Sequence, residues 1–187
     1  MVVNPFQQRK KAVLSKLDKS SIGKWDEKII SLCDKLNNSE NFYTTSSCSG
    51  RIALMIEQDK KAKNLFLKVW HNKISFKELK NSLIEIKIKK LIKFKFEPAI
   101  LHLACKDLNF ASEFLEKAKH LGWKRSGILT YKKNIILELN STEKLEFPIL
   151  NNEKILVDDL FLKLIIELSN KKFEKTWEKI DKLKESI

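Results

Sequence analysis

The sequence predicts an α+β fold in which helices pack on a mixed β-sheet and a long helix closes the C-terminus. Three observations point there. Apolar residues recur at helical spacing at both ends of the chain, while residues 42–149 are dominated by short aromatic, β-branched or alternating runs of strand type. The four glycines, Gly23, Gly50, Gly122 and Gly127, form neither a GxG fingerprint nor a Walker A loop, so a Rossmann-type nucleotide fold is not expected.

Asn4-Pro5 with Gln7 reads as a helix start, because proline is favoured in a first turn. Phe6, Val13, Leu14 and Leu17 give this helix an apolar stripe as far as Asp18. A second helix over residues 26–36 carries Ile29, Ile30, Cys33 and Leu36 on one face and is stopped by Asn37-Asn38-Ser39. The pattern then changes to Phe42-Tyr43-Thr44-Thr45, a small-residue turn Ser46-Ser47-Cys48-Ser49-Gly50, and a strand Ile52-Ala53-Leu54-Met55-Ile56. Lysines around residues 60–63 mark a loop, residues 65–70 a further strand, and Ser75-Phe76-Lys77-Glu78 a capping box. Residues 86–96 alternate lysine with Ile or Phe, the period of a half-exposed strand with a basic outer face.

Glu97-Pro98 leads into a buried run over residues 99–105, after which Asp107 caps a helix through Phe114, Leu115 and Ala118. It ends at Gly122, since glycine adopts a left-handed backbone most easily. This strand-helix unit, followed by a hairpin of residues 128–131 and 135–139 across Lys132-Lys133-Asn134, makes the predicted sheet mixed. Residues 145–149 add a strand. From Val157 the helical period returns with Leu160, Phe161, Leu164, Ile165, Leu168, Trp177 and Ile180. No linker or repeat interrupts the chain, and a single domain over residues 1–187 is expected.

Thirty-seven Lys+Arg against 24 Asp+Glu leave a net charge of +13, which favours a polyanionic partner such as nucleic acid. A general lysine bias is the competing explanation, because only Arg9, Arg51 and Arg125 are arginines. The chain starts without a charged-then-apolar leader and contains no apolar run near the roughly 20 residues that a membrane span needs. A soluble, cytoplasmic protein without membrane association is expected. Cys33, Cys48 and Cys105 are odd in number and widely spaced, as reduced thiols would be, and no structural metal is expected. HExxH, GxSxG and CxxC are absent, which disfavours standard hydrolase and zinc chemistry.

Ser46 to Gly50 with Arg51 could present backbone N–H groups and hydroxyls to a carboxylate or phosphate, with Arg51 as a bidentate clamp. A tight hairpin with Gly50 at positive φ explains the same residues. Cys48 is a candidate nucleophile or a packed thiol. His102 lies in a strand pattern on the face of Ile100 and Ala104, where it is either a satisfied structural histidine or a proton acceptor near neutral pH. Ser126-Gly127, after Lys124-Arg125, is a second basic turn suited to phosphate or to an ordinary surface loop. Trp25, Trp70 and Trp123 could stack on bases or fill a core.

The segment Thr44-Thr45-Ser46-Ser47-Cys48-Ser49-Gly50-Arg51 resembles the signature of the wybutosine-synthesising tRNA methyltransferases, the third enzyme of the wybutosine/wyosine pathway. Similar family patterns recur at Leu17-Asp18-Lys19-Ser20, Gly23 with Asp26, Phe96-Glu97-Pro98-Ala99-Ile100-Leu101-His102, Ser126-Gly127-Ile128, Leu145-Glu146-Phe147-Pro148 and Asn170. The resemblance implies an archaeal stand-alone enzyme that uses S-adenosyl-L-methionine. Its target would be ring nitrogen 4 of the tricyclic wyosine-type precursor beside the anticodon of tRNA-Phe, presented by the anticodon stem-loop, with no obligate protein partner. It also implies an α+β, mixed-sheet, non-Rossmann methyltransferase fold.

Carried over by the resemblance, Ser47, Cys48, Ser49, Gly50, Arg51, Ser126 and Gly127 form the cofactor-binding set, and His102 and Asp26 the catalytic set. His102 is expected to act as base or orienting group, and Arg51 to pair the cofactor carboxylate or a tRNA phosphate. Asn140 stands where many members have arginine, and Trp123 replaces a usual phenylalanine. The alternatives from other classes are a non-catalytic basic RNA-binding module, using the lysines of residues 86–96 and the C-terminal helix, and a cysteine-dependent enzyme using Cys48.

Overall fold

The structure, a computed structural model, describes residues 4–16, 26–58 and 65–187. The expected contributions of Leu17, Asp18, Lys19, Ser20, Gly23, Trp25 and the lysines of residues 60–63 lie outside the described residues. In chain order the elements are α1 (Pro5–Leu14), α2 (Glu27–Asn38), β1 (Phe42–Cys48), β2 (Arg51–Ile56), β3 (Phe66–Trp70), α3 (Phe76–Glu85), β4 (Leu91–Glu97), β5 (Ile100–Cys105), α4 (Leu108–His120), β6 (Gly127–Thr130), β7 (Ile135–Asn140), β8 (Leu145–Asn151), β9 (Lys154–Ile155) and α5 (Asp159–Glu185). The chain divides into two compact units: Met1–Ser49, Ala99–Thr142 and Thr176–Ile187 in the first, and Gly50–Pro98 and Glu143–Lys175 in the second. It passes from one to the other between Ser49 and Gly50, inside the small-residue segment.

The α+β class, the long C-terminal helix and the absence of a Rossmann arrangement are as predicted. The sheet differs from the expected mixed one: the described residues form two, of order β1-β5-β7-β6 and β3-β2-β4-β8-β9, and every adjacent pair among them is antiparallel. The reason lies in β5-α4-β6. Both β5 and β6 run antiparallel to β7, so the two are parallel to each other, as a strand-helix-strand crossover makes them. The hairpin return then inserts β7 between them, and no parallel pair forms.

In the first unit, Leu101, Leu103, Leu137 and Leu139 project from the sheet onto Ile29, Leu32, Cys33 and Leu36 of α2, Ala111, Phe114 and Ala118 of α4, and Ile180 and Leu183 of α5. Each fully buried aliphatic side chain of this kind contributes about 1.5–3 kcal/mol. On the opposite face α1 covers an apolar patch, through Phe6 against Tyr43 and Ala104. Asn4 caps α1 by accepting from the Phe6 N–H, but the helix ends at Leu14, short of the expected Asp18. Asp107 caps α4 as expected, and Gly122 follows with φ +97°. Trp123 is fully buried, its indole N–H donating to the Lys179 carbonyl, so it is core and not a stacking surface.

In the second unit, Ile92, Phe94 and Phe96 alternate into the core, where Phe173 of α5 meets Phe96 edge-on and Phe94 stacks on Phe147 of β8. The expected strand over residues 86–96 begins only at Leu91, because α3 runs to Glu85 and Ile86 ends it. Its lysines do not form a bare basic face either. Lys93 pairs with Glu57 and Glu146, and Lys95 lies beside Glu97 and Glu146.

Candidate active site

The expected five-residue turn at Ser46 to Gly50 is mostly strand. Phe42 to Thr44 pair with Cys105 to Leu103, the register shifts at Thr45, and Ser46 to Cys48 pair with His102 to Ile100. Side chains alternate across a strand, so Thr44 and Ser46 would share a face without that extra residue. With the bulge, Thr44 points to the core and Ser46 to the opposite side with His102. Asn37 of α2 holds the inward Thr44, its side chain bonding both the Thr44 N–H and hydroxyl at 2.8 and 3.2 Å.

The bulge completes a polar row. Ser46 of β1 opposes His102 of β5, which opposes Glu138 of β7, which opposes Gly127 of edge strand β6. His102 Nδ1 lies 3.1 Å from Ser46 Oγ, and Nε2 lies 2.9 Å from Glu138 Oε2. An ionised carboxylate only accepts, so Nε2 carries the hydrogen toward Glu138 and Nδ1 presents its lone pair to Ser46. The imidazole is about one quarter exposed. A carboxylate that orients a partly exposed histidine, with a hydroxyl at the other nitrogen, is an arrangement able to move a proton.

The expected site residues divide by face. Cys48 pairs with Ile100 and shares the face of His102. Ser47 pairs with Leu101 on the core face and hydrogen-bonds Cys33 of α2. Ser49 is buried: its N–H and hydroxyl both donate to Asp26 Oδ2, at 2.8 and 3.2 Å. That N–H is therefore committed within the protein, not turned out toward an anion. Asp26 is itself buried at the start of α2 and acts as a clamp on the segment's end.

Gly50, at φ +98°, opens the second unit in a conformation that favours glycine. Arg51 opposes Glu97 in the β2–β4 ladder; its Nε bonds Glu97 Oε2 at 2.5 Å and its guanidinium lies 4.7 Å over the Phe66 ring. Ser126 is used structurally, its hydroxyl donating to the Trp123 carbonyl at 2.6 Å and accepting the Asn140 N–H at 2.9 Å. Beside Gly127 a Cβ would meet nothing within 4 Å, so open space adjoins the end of the polar row. Asn140, in β7 opposite Ile100, extends its amide toward Glu138.

Sequence reasoning missed Ser46 and Glu138 as partners of His102. Only cross-strand register brings them together: Ser46 lies in the Thr44 to Arg51 signature, but nothing local aims it at His102, and Glu138 lies in no motif. Of the thiols, Cys33 and Cys105 are pushed up to about 12 by burial, while Cys48 is half-buried.

A serine-histidine-carboxylate row on a non-Rossmann α+β scaffold defines a candidate group-transfer enzyme. The chain belongs to the family described as Methyltransferase TYW3, whose sequence model matches residues 8–187. It is 39% identical over 178 residues to a protein of Methanocaldococcus jannaschii named tRNA(Phe) 7-((3-amino-3-carboxypropyl)-4-demethylwyosine(37)-N(4))-methyltransferase, covering 92% of each chain. Similarity extends to eukaryotes: it is 34% identical to the tRNA wybutosine-synthesizing protein 3 homolog of Danio rerio, covering 97% of this chain and 74% of that protein. The solved PH1069 protein of Pyrococcus horikoshii superposes with a TM-score of 0.85 at 32% identity, covering 96% of this chain and 92% of that one.

Proposed function

We propose that this chain, acting as one functional domain, transfers a methyl group from S-adenosyl-L-methionine to ring nitrogen 4 of 7-(3-amino-3-carboxypropyl)-4-demethylwyosine in tRNA(Phe). The base lies beside the anticodon, within the anticodon stem-loop, and the reaction belongs in the cytoplasm. The names of the relatives support the reaction, and a family match over both units supports a single functional domain. The observation that carries the mechanism is His102, held between Glu138 and Ser46.

When bound, S-adenosyl-L-methionine supplies a sulfonium methyl for in-line displacement by the ring nitrogen. Donor chemistry within each unit fits such a cofactor: in the first, Cys48 is a small side chain and the open space at Gly127 admits close approach; in the second, Gly50 adds no side chain and the Arg51 guanidinium suits a carboxylate. Ser47, Ser49 and Ser126 serve that set by holding the backbone, through Cys33, Asp26 and Trp123. Asp26 is a positioning residue, its carboxylate fixing Ser49. As the new N–C bond forms, the ring nitrogen gives up its proton to His102 Nδ1, directly or through the Ser46 hydroxyl. Glu138 then faces an imidazolium, which it stabilises by charge and hydrogen bond. Orienting two bound partners can supply roughly 7–11 kcal/mol of the barrier, so no covalent enzyme intermediate is needed.

The experiment is transfer of labelled methyl from S-adenosyl-L-methionine to tRNA purified from cells lacking this enzyme, where the tricyclic precursor is already present. Label in one nucleoside beside the anticodon is the expected result. No label, with precursor confirmed and protein folded, overturns the enzymatic reading and leaves a basic RNA-binding module.

A further inference from the structure

Edge strand β6 and its flanks combine features that the polar row does not explain. Residues 124–134 contain Lys124, Arg125, Lys132 and Lys133 and no carboxylate. All four cations are exposed, and none lies within ion-pair distance of a carboxylate among the described residues. This sets them apart from Lys93 and Lys95, whose charge neighbouring glutamates offset. Between them stand apolar side chains that a monomer would ordinarily bury: Leu129 is 56% exposed and Tyr131 64%. A Thr130 hydroxyl bond to the Asn134 carbonyl at 2.5 Å braces the turn, so these groups are presented from a formed hairpin.

Among the described residues strand β6 has one neighbour, β7, and no strand pairs with its other edge. Lysines on such an edge discourage strand addition by a second copy. Flat aromatic and apolar surface ringed by unpaired cations instead matches an RNA loop, whose phosphates need charge and whose unpaired bases stack on aromatic rings. Location agrees. Gly127 begins β6 and ends the His102 row, while Tyr131 lies about 13 Å further along at strand rise.

We infer that the β6 edge and β6–β7 turn are the RNA-docking surface, with Tyr131 stacking on an unpaired loop base and Lys124, Arg125, Lys132 and Lys133 pairing phosphates that flank it. The inference rests on the proposed tRNA reaction and adds where the RNA lies. It assigns no role to the lysines of β4.

The test is anisotropy titration of a fluorescein-labelled anticodon-arm hairpin of tRNA(Phe), repeated across salt concentrations. Wild type is compared with Tyr131→Ala, Tyr131→Phe, the Lys132→Ala/Lys133→Ala pair, and Lys171→Ala as an exposed control. Expected are about tenfold weaker binding for Tyr131→Ala, rescue by Tyr131→Phe, and a salt slope lower by about 1–2 for the lysine pair. Titration with S-adenosyl-L-methionine should be unchanged in all. Affinity equal to wild type in the Tyr131→Ala and lysine-pair proteins overturns the inference, as does an equal loss in Lys171→Ala. Self-association of the lysine pair with RNA affinity retained also overturns it, leaving edge protection as the role of those lysines. Methyl transfer by wild type is scored separately: its failure counts against the reaction, while the difference between variants still decides the surface.

Discussion

Glu138 and His102 are separated by 36 residues in the chain yet lie opposite each other in the β5–β7 ladder, with 2.9 Å between carboxylate oxygen and Nε2. The pairing fixes which imidazole nitrogen is free to accept a proton. His102→Ala should therefore lower kcat by about 10²-fold or more, the range for general-base catalysis, with cofactor titration unchanged. Glu138→Gln should lower kcat less, because an amide oxygen still accepts the Nε2 hydrogen but does not offset imidazolium charge. Equal losses in kcat and cofactor affinity would move His102 into the binding set.

Asp26 makes a separate prediction. Asp26→Ala leaves the Ser49 N–H and hydroxyl without the carboxylate that now accepts both, and should cost about 1.5–3 kcal/mol, the range for bonds to a charged group. Calorimetric unfolding reads the stability, and cofactor titration the alignment of the segment. A variant as stable as wild type with full cofactor affinity would remove Asp26 from both roles.

Ser126 and Gly127, adjacent in sequence, should behave oppositely. Ser126→Ala removes the hydroxyl that joins the Trp123 carbonyl to the Asn140 N–H, and a loss of about 1–3 kcal/mol in stability is expected. Gly127→Ala places its methyl in open space at a φ outside the left-handed region, so the melting temperature should hold. Weakened cofactor binding in this folded variant would show that the open space is occupied in function; unchanged binding would exclude it from the site.

The thiols give a pH dependence. Burial favours the neutral form of Cys33 and Cys105, raising each from 9.0 to about 12. The unfolded chain thus releases these protons first as pH rises. Their contribution is complete below pH 9 and is lost between 9 and 12, at up to about 1.4 kcal/mol per pH unit for each thiol. Urea unfolding across that range checks the sign. Under native conditions, alkylation should reach Cys48 and spare the other two, and Cys48→Ala should retain methyl transfer; loss of turnover in that variant would favour a thiol mechanism.

Local signals were legible without coordinates wherever a few neighbouring residues decide the outcome. The Ser75-Glu78 capping box, the Asp107 cap, the glycine stop at Gly122 and the β6–β7 hairpin all depend on contacts within a few positions. The motif residues from Thr44 to Arg51 also marked the family, because sequence similarity needs no geometry. The expected small-residue turn at Ser46 to Gly50 is mostly strand instead, since a bulge and a ladder to β5 are agreements between strands more than fifty residues apart.

Amino-acid order alone thus established the α+β class, the family and the excess of positive charge, and singled out His102 as a candidate. Tertiary structure decided which strand neighbours which, and through it the partners of His102, the inward turn of Ser47 and Ser49, and the neutralisation of the β4 lysines. The physical reason is register. A side-chain period of two lets one inserted residue, Thr45, reverse the face on which all later residues of β1 stand, and no local propensity records that reversal.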